Sequence, residues 1–211
     1  MSKIYNGLMG LIVGDAMGVP VEFNPRDSFK VSDMIGYGTY DLPAGSWSDD
    51  SSMMLATVES IARLGEIDTD DIMKNFVRWV NDGEFTPYGE LFDIGRATRN
   101  AIQRYVQGIP AEQCGGTAEW DNGNGSLMRI LPLAFMDCDY ETVNAVSSLT
   151  HAHEISKAAC RVYVYIARQL FHGKTLEEIY NCFGMKQSTF ERLPILKDLT
   201  RDEIKSTMSL T

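Results

Sequence analysis

Cysteine is scarce in this chain and poorly placed for metal or disulfide chemistry. Cys114, Cys138, Cys160 and Cys182 lie far apart, with no C-x-x-C pair. That spacing excludes a thiolate zinc site and a disulfide framework, and it fits reduced thiols in a cytoplasmic protein. Basic residues are also few, 19 Lys and Arg against 29 Asp and Glu, for a formal net charge of -10. A nucleic-acid surface or an anionic membrane needs clustered cations, so neither is expected as a partner. No Pro-, Ser- or Gly-rich tract divides the sequence, and residues 1–211 read as one domain. Long apolar runs are missing too: the stretch from Gly7 to Val13 soon meets Asp15, without a basic leader or a cleavage site. Neither a signal peptide nor a membrane span is expected from it.

What is present is helical periodicity. Apolar spacing predicts helices over about 4–17, 51–64, 69–82, 93–106, 125–136, 141–149, 155–172 and 175–184. Ile72, Phe76 and Val80 share one face behind Asp68, an N-cap candidate. Thr175 and Glu178 form a capping box after Gly173 closes the preceding helix. Ala158, Ala159, Val162, Ile166 and Leu170 trace another buried stripe. The Val19 to Tyr40 region carries Pro20, Pro25 and scattered glycines, and reads as an irregular excursion. An all-α fold with long loops follows, and loops of that length commonly carry function.

The polar residues gather in short clusters. Ser48, Asp49 and Asp50 precede an apolar helix, where a carboxylate or hydroxyl caps free N–H groups and suits the positive dipole end. Two adjacent carboxylates beside a hydroxyl are also what Mg²⁺ or Mn²⁺ takes from protein. On these residues alone, cap and ion both stand. Asp15 inside its apolar stretch requires a partner or a nearby cation, and Glu22 is a carboxylate flanked by apolar residues. Asn122, Gly123, Asn124, Gly125 and Ser126 predict a tight turn whose N–H groups, with Arg129 beside them, suit a phosphate; a plain turn with Arg129 in an ion pair suits the pattern equally. His151 and His153 are spaced i and i+2, which argues against shared zinc ligation; His151 reads as a ligand contact or a support for one. Asp93 reads as the N-cap of the helix that follows it.

In order along the chain these clusters resemble the ADP-ribosylglycohydrolase family, which includes dinitrogenase-reductase-activating glycohydrolase and the ADP-ribosylarginine and ADP-ribosylserine hydrolases. The likeness runs through G-x-x-x-G-D-A-x-G-x-P-x-E at Gly10 to Glu22 and G-x-W-S/T-D-D-S/T at Gly45 to Ser51. It continues through D-I-G-x-x-T-R at Asp93 to Arg99, N-G-x-x-M-R-x-x-P at Asn124 to Pro132, and T-H at Thr150 to His151. The resemblance implies a hydrolase that cleaves the glycosidic bond between ADP-ribose and a protein side chain with two Mg²⁺ or Mn²⁺ ions. It assigns Ser48, Asp49 and Asp50 to the metal, Glu22 and Asp93 to catalysis, and Asp15, the Asn122 to Ser126 loop and His151 to the ligand. It also implies a second metal motif, D-x-D-S/T, near the C-terminus, and these 211 residues contain none. The expectation is therefore a chain lacking the last helices, holding at most one ion weakly, with its activity in question. The alternative is an ADP-ribose-binding remnant. An apolar face left uncovered would favour self-association or a completing partner chain.

Overall fold

The computed structural model describes residues 2–182 together with Ile195 and Leu199. Among the described residues there are seven α-helices and no strand. They are α1 (Lys3–Gly18), α2 (Asp49–Leu64), α3 (Thr69–Asp82), α4 (Arg96–Val106), α5 (Tyr140–Ser148), α6 (Glu154–Phe171) and α7 (Leu176–Cys182). The chain forms two compact units, one running through Arg168 and the other starting at Gln169.

The first unit is organised around α2 and α3, which contact each other extensively. Met53, Ala56, Ile72, Met73, Phe76 and Trp79 from this pair bury completely, and Ile130, Leu133, Val143, Val146 and Leu149 join them in one core. Burying each such side chain stabilises the fold by about 1.5–3 kcal/mol relative to exposure. Asp68 caps α3 as expected, accepting from the backbone N–H of Asp70 and Asp71, and Gly83 ends that helix in the left-handed region. In the second unit, the Thr175–Glu178 capping box forms at the start of α7.

Four expectations are corrected. The 125–136 segment is not an α-helix: it breaks into 3₁₀ turns at Leu127–Arg129 and Leu131–Phe135, because Pro132 removes a backbone donor within a run of small turns. Helix α4 begins at Arg96, and its N-cap is Gly95 rather than Asp93. On α6 Val162 of the expected stripe is buried, but it is joined by Ser156, Cys160 and Val164, with Leu170 exposed, because the side of α6 facing the core is met by polar groups of the 122–126 loop. Finally, Lys3–Val21 runs for 19 residues with a mean hydropathy of 1.3, long and apolar enough by length and composition to cross a membrane. The 3₁₀ turn Val19–Val21 extends α1 beyond the point where Asp15 interrupts the apolar pattern.

Cys114 and Cys160 are buried free thiols and Cys138 is a partly buried one. The side chain of Cys182, the end of the 175–184 segment and the C-terminal residues 200–211 lie outside the described residues.

Candidate active site

The start of α2 is held by a side chain from another helix. Asp15, near the end of α1, accepts four hydrogen bonds: Ser48 N and Ser51 N at 3.0 Å each, Ser48 Oγ at 2.7 Å and Ser51 Oγ at 2.6 Å. The first turn of a helix leaves four N–H groups without internal partners, and a carboxylate placed there satisfies them and complements the dipole. Ser48 is the N-cap proper, its Oγ accepting from Asp50 N at 3.3 Å. Asp49 and Asp50 are therefore not the cap, and neither stands fully in solvent. Asp49 is only 9% exposed, and Asp50 is partly buried.

Capping work falls to Asp15 and Ser48, so the carboxylates of Asp49 and Asp50 are directed elsewhere. Burial pushes Asp49 up to about 7, reinforced by Asp93 and Asp50 and opposed by a backbone hydrogen bond from Gly95. Asp50 rises to about 6, first through burial and then through the charge of Asp15. Glu22 is raised as well, by burial and by Asp93 and Asp15. Glu22, Asp50, Asp15 and Ser48 line one cleft of about 460 Å³ with Val19, Phe23 and Phe29. Carboxylates dominate the field on one another here. The ion pairs of the described residues lie elsewhere, as in Arg63–Asp71, Lys74–Asp70 and Arg78–Glu84.

Tyr40 stands beside Glu22 and Asp93, and no motif marks it. Its hydroxyl is buried near the carboxylates of Glu22 and Asp93, which push its ionisation up together with burial, and it meets no partner at full hydrogen-bond geometry among the described residues. The ring packs edge-on against Phe92 at 5.0 Å and Phe23 at 6.3 Å. Its loop is clasped to that of Glu22: Thr39 N donates to Pro20 O at 3.0 Å and Thr39 Oγ1 to Glu22 O at 2.6 Å. Gly38 permits this clasp, since any Cβ there would overlap the Pro20 carbonyl. Asp41, next to Tyr40, and Phe23, next to Glu22, both adopt positive φ, at 53° and 61°. Such conformations cost energy and persist only where the surroundings impose them. A scattered aromatic in an irregular loop carries no motif, which is why sequence reasoning missed it.

The second cluster surrounds the Asn122–Ser126 loop. Asn122 Oδ1 accepts from Ser156 Oγ at 2.8 Å. Ser126 is turned into the interior, its Oγ at 3.0 Å from Ser147 Oγ and 3.4 Å from Cys160 Sγ. Its hydroxyl therefore faces the core, and the backbone of Gly123, Asn124 and Gly125 is what the loop offers a ligand. Among the described residues Arg129 pairs with no carboxylate. It is fully buried over the Phe76 ring at 5.0 Å and donates through one nitrogen to Val146 O and Thr150 Oγ1. Both readings of Arg129, phosphate partner and ion pair, give way to this interior position. Thr150 Oγ1 also lies 2.9 Å from His151 Nδ1. The imidazole packs so closely on Gly125 that a Cβ there would sit 2.5 Å from His151 Cε1. Burial and the Arg129 charge lower His151 to about 4, with Asp121 opposing.

The first turn of α4 joins the two clusters. Gly95 N–H reaches Asp49, and Thr98 Oγ1 lies 3.2 Å from where a Cβ on Gly125 would stand. Tertiary structure thus gathers Asp15, Glu22, Asp49, Asp50 and Asp93 in one cluster, and the 122–126 loop and His151 in another.

The donor chemistry of the acidic cluster fits a hard divalent ion, because Ser48, Asp49 and Asp50 are oxygen ligands and the carboxylates face mainly one another. The shell is incomplete, however: no group of three or more His, Cys, Asp or Glu among the described residues is arranged to hold an ion.

A family model for ADP-ribosylglycohydrolase matches residues 1–207. The chain is 32% identical to an ADP-ribosylarginine hydrolase of Serratia proteamaculans, across 98% of this chain and 58% of that protein. It is 31% identical to the ADP-ribosyl-dinitrogen-reductase glycohydrolase of Rhodospirillum rubrum, across 83% of this chain and 60% of that one. A solved structure described as an ADP-ribosylglycohydrolase-related protein complex superposes with a TM-score of 0.71 at 31% identity, covering 84% of this chain and 59% of that chain. The chain thus spans less than two thirds of the length of these relatives.

Proposed function

The chain belongs to the ADP-ribosylglycohydrolase family, and we propose that it binds ADP-ribose attached to a protein side chain and supports hydrolysis of the glycosidic bond. The observation that carries this reading is the buried Asp49–Asp50 pair, relieved of capping by Asp15 and facing Glu22 and Asp93. Ser48, Asp49 and Asp50 would hold a Mg²⁺ or Mn²⁺ ion. Bound there, the ion would orient the ribose hydroxyls and a water and would lower the pKa of that water, the nucleophile that an oxocarbenium-like transition state requires.

The remaining work belongs to the chain's own residues. Glu22, raised by burial, is suited to exchange a proton with the water or leaving group at its carboxylate. Asp93 faces the same space and adds negative charge where the ribose develops positive charge. Backbone groups of Gly123 to Gly125, with His151 behind them, receive the pyrophosphate. Phe23 and Phe29 supply the apolar wall of the cleft.

A second reading, binding without cleavage, is favoured by one feature. Ser48 Oγ is committed to Asp15 and Asp50, which leaves a thin ligand set at the ion position. Calorimetry with Mn²⁺ and ADP-ribose, followed by an assay for ADP-ribose released from ADP-ribosylated arginine, separates the two. Binding with release supports the hydrolase, binding without release selects the second reading, and absence of both refutes the proposal.

A further inference from the structure

Arg129, Thr150 and His151 form a chain of contacts in which the hydrogen-bond roles are forced. A guanidinium only donates, so Thr150 Oγ1 accepts from Arg129 at 2.9 Å. Thr150 is fully buried, and among the described residues its one hydroxyl hydrogen has a single hydrogen-bond partner within reach, His151 Nδ1 at 2.9 Å. If Nδ1 carried the ring proton, the Thr150 hydrogen would be buried without an acceptor. The low-cost arrangement makes Nδ1 an acceptor and moves the ring proton to Nε2. Arg129 cannot swing away to release Thr150, since it is enclosed, stacked on Phe76 and tied to Val146 O at 3.0 Å. His151 Nε2 lies against the loop, 3.3 Å and 3.2 Å from where Cβ atoms on Gly123 and Gly125 would stand.

We propose that Arg129 and Thr150 are positioning residues that fix His151 in the tautomer protonated on Nε2, so that the ring presents a hydrogen-bond donor to the Gly123–Gly125 loop. The Arg129 charge, opposed by Asp121, also disfavours a second proton on the ring. His151 then serves an anionic oxygen as an uncharged donor near neutral pH. The tautomer stands on these contacts alone, whereas its use for the ADP-ribose pyrophosphate rests on the function proposed above.

Long-range ¹H–¹⁵N spectra of the full chain, which has three histidines, read the tautomer directly; His153→Gln and His172→Gln assign the signals. At pH 7 the His151 ring is expected in the Nε2–H form. Thr150→Val should redistribute the proton toward Nδ1, and Thr150→Ser should restore the wild-type pattern. A wild-type ring protonated on Nδ1, or on both nitrogens, overturns the proposal. So does an unchanged pattern in Thr150→Val, and the wild-type measurement alone decides the matter if that variant does not fold. ADP-ribose affinity should fall about tenfold in Thr150→Val, the weight of one hydrogen bond to a charged group. If wild-type protein does not bind ADP-ribose, the proposed function fails while the tautomer result stands.

Discussion

The two polar clusters carry opposite charge without a counter-charge of their own. Around the start of α2, Asp15, Glu22, Asp49, Asp50 and Asp93 converge, and carboxylate repulsion and burial raise three of them. Beneath the Gly123–Gly125 loop, Arg129 is buried with only a carbonyl and a hydroxyl as hydrogen-bond partners, and two of its nitrogens have none. Buried charges ordinarily pair with each other, and the fold keeps these apart. The difference is that the acidic cluster sets carboxylates against one another, whereas Arg129 stacks on Phe76 and donates through one nitrogen to Val146 O and Thr150 Oγ1. A ligand with hydroxyls at one end and a pyrophosphate at the other fits that division.

The largest effect comes from emptying the acidic cluster. Asp49→Ala with Asp50→Ala should lower Mn²⁺ affinity by more than the roughly 10–100-fold typical of outer-shell changes, while melting temperature holds or rises because repulsion is relieved. Unchanged Mn²⁺ binding in calorimetry would refute the ion assignment and erase the contrast between the two clusters.

Acidity tests the same contrast without mutation. Folding raises Asp49 and Asp50 from 3.8 to about 7 and about 6, so the native state binds protons that the unfolded chain releases. In chelator, stability should be fullest below pH 4 as far as these two groups are concerned, and decline as pH rises through 7, by on the order of 4 kcal/mol between pH 5 and pH 8. Urea titrations at pH 5 and pH 8 read this. A flat profile, or one that also survives Asp49→Asn with Asp50→Asn, means that the carboxylates are not desolvated as described.

A smaller effect separates capping from ligand chemistry. Asp15→Ala strands the donors of Ser48 and Ser51 and should cost about 2–3 kcal/mol in denaturant melts. The smallest expected effect is that of Tyr40→Phe, which keeps the ring against Phe23 and Phe92 but removes the hydroxyl near Glu22 and Asp93. It should lower kcat by about tenfold with KM within about twofold, the pattern of an interaction strengthened in the transition state. A rise in KM alone would assign Tyr40 to ground-state binding instead.

Much of the fold was legible in the sequence. The periodicity of α2 and α3 located both helices within two residues, and Asp68, Gly173 and the Thr175–Glu178 box act where their types suggest. The misreadings came from residues with two local uses. Asp93 has the chemistry of an N-cap, yet Gly95 takes that position and Asp93 joins the acidic cluster. The 125–136 segment has helical apolar spacing, and Pro132 with the close approach of His151 turns it into short 3₁₀ segments.

By itself, then, the sequence determined the all-helical class, the order of the polar clusters and their likeness to one family, because periodicity, caps and motifs are properties of neighbours along the chain. Only the tertiary structure decided that Asp15 caps α2 so that Asp49 and Asp50 need not, that Arg129 lies in the core, and that Tyr40 stands beside Glu22. Those outcomes depend on desolvation and on hydrogen-bond partners from distant segments, which acquire meaning once the helices have packed.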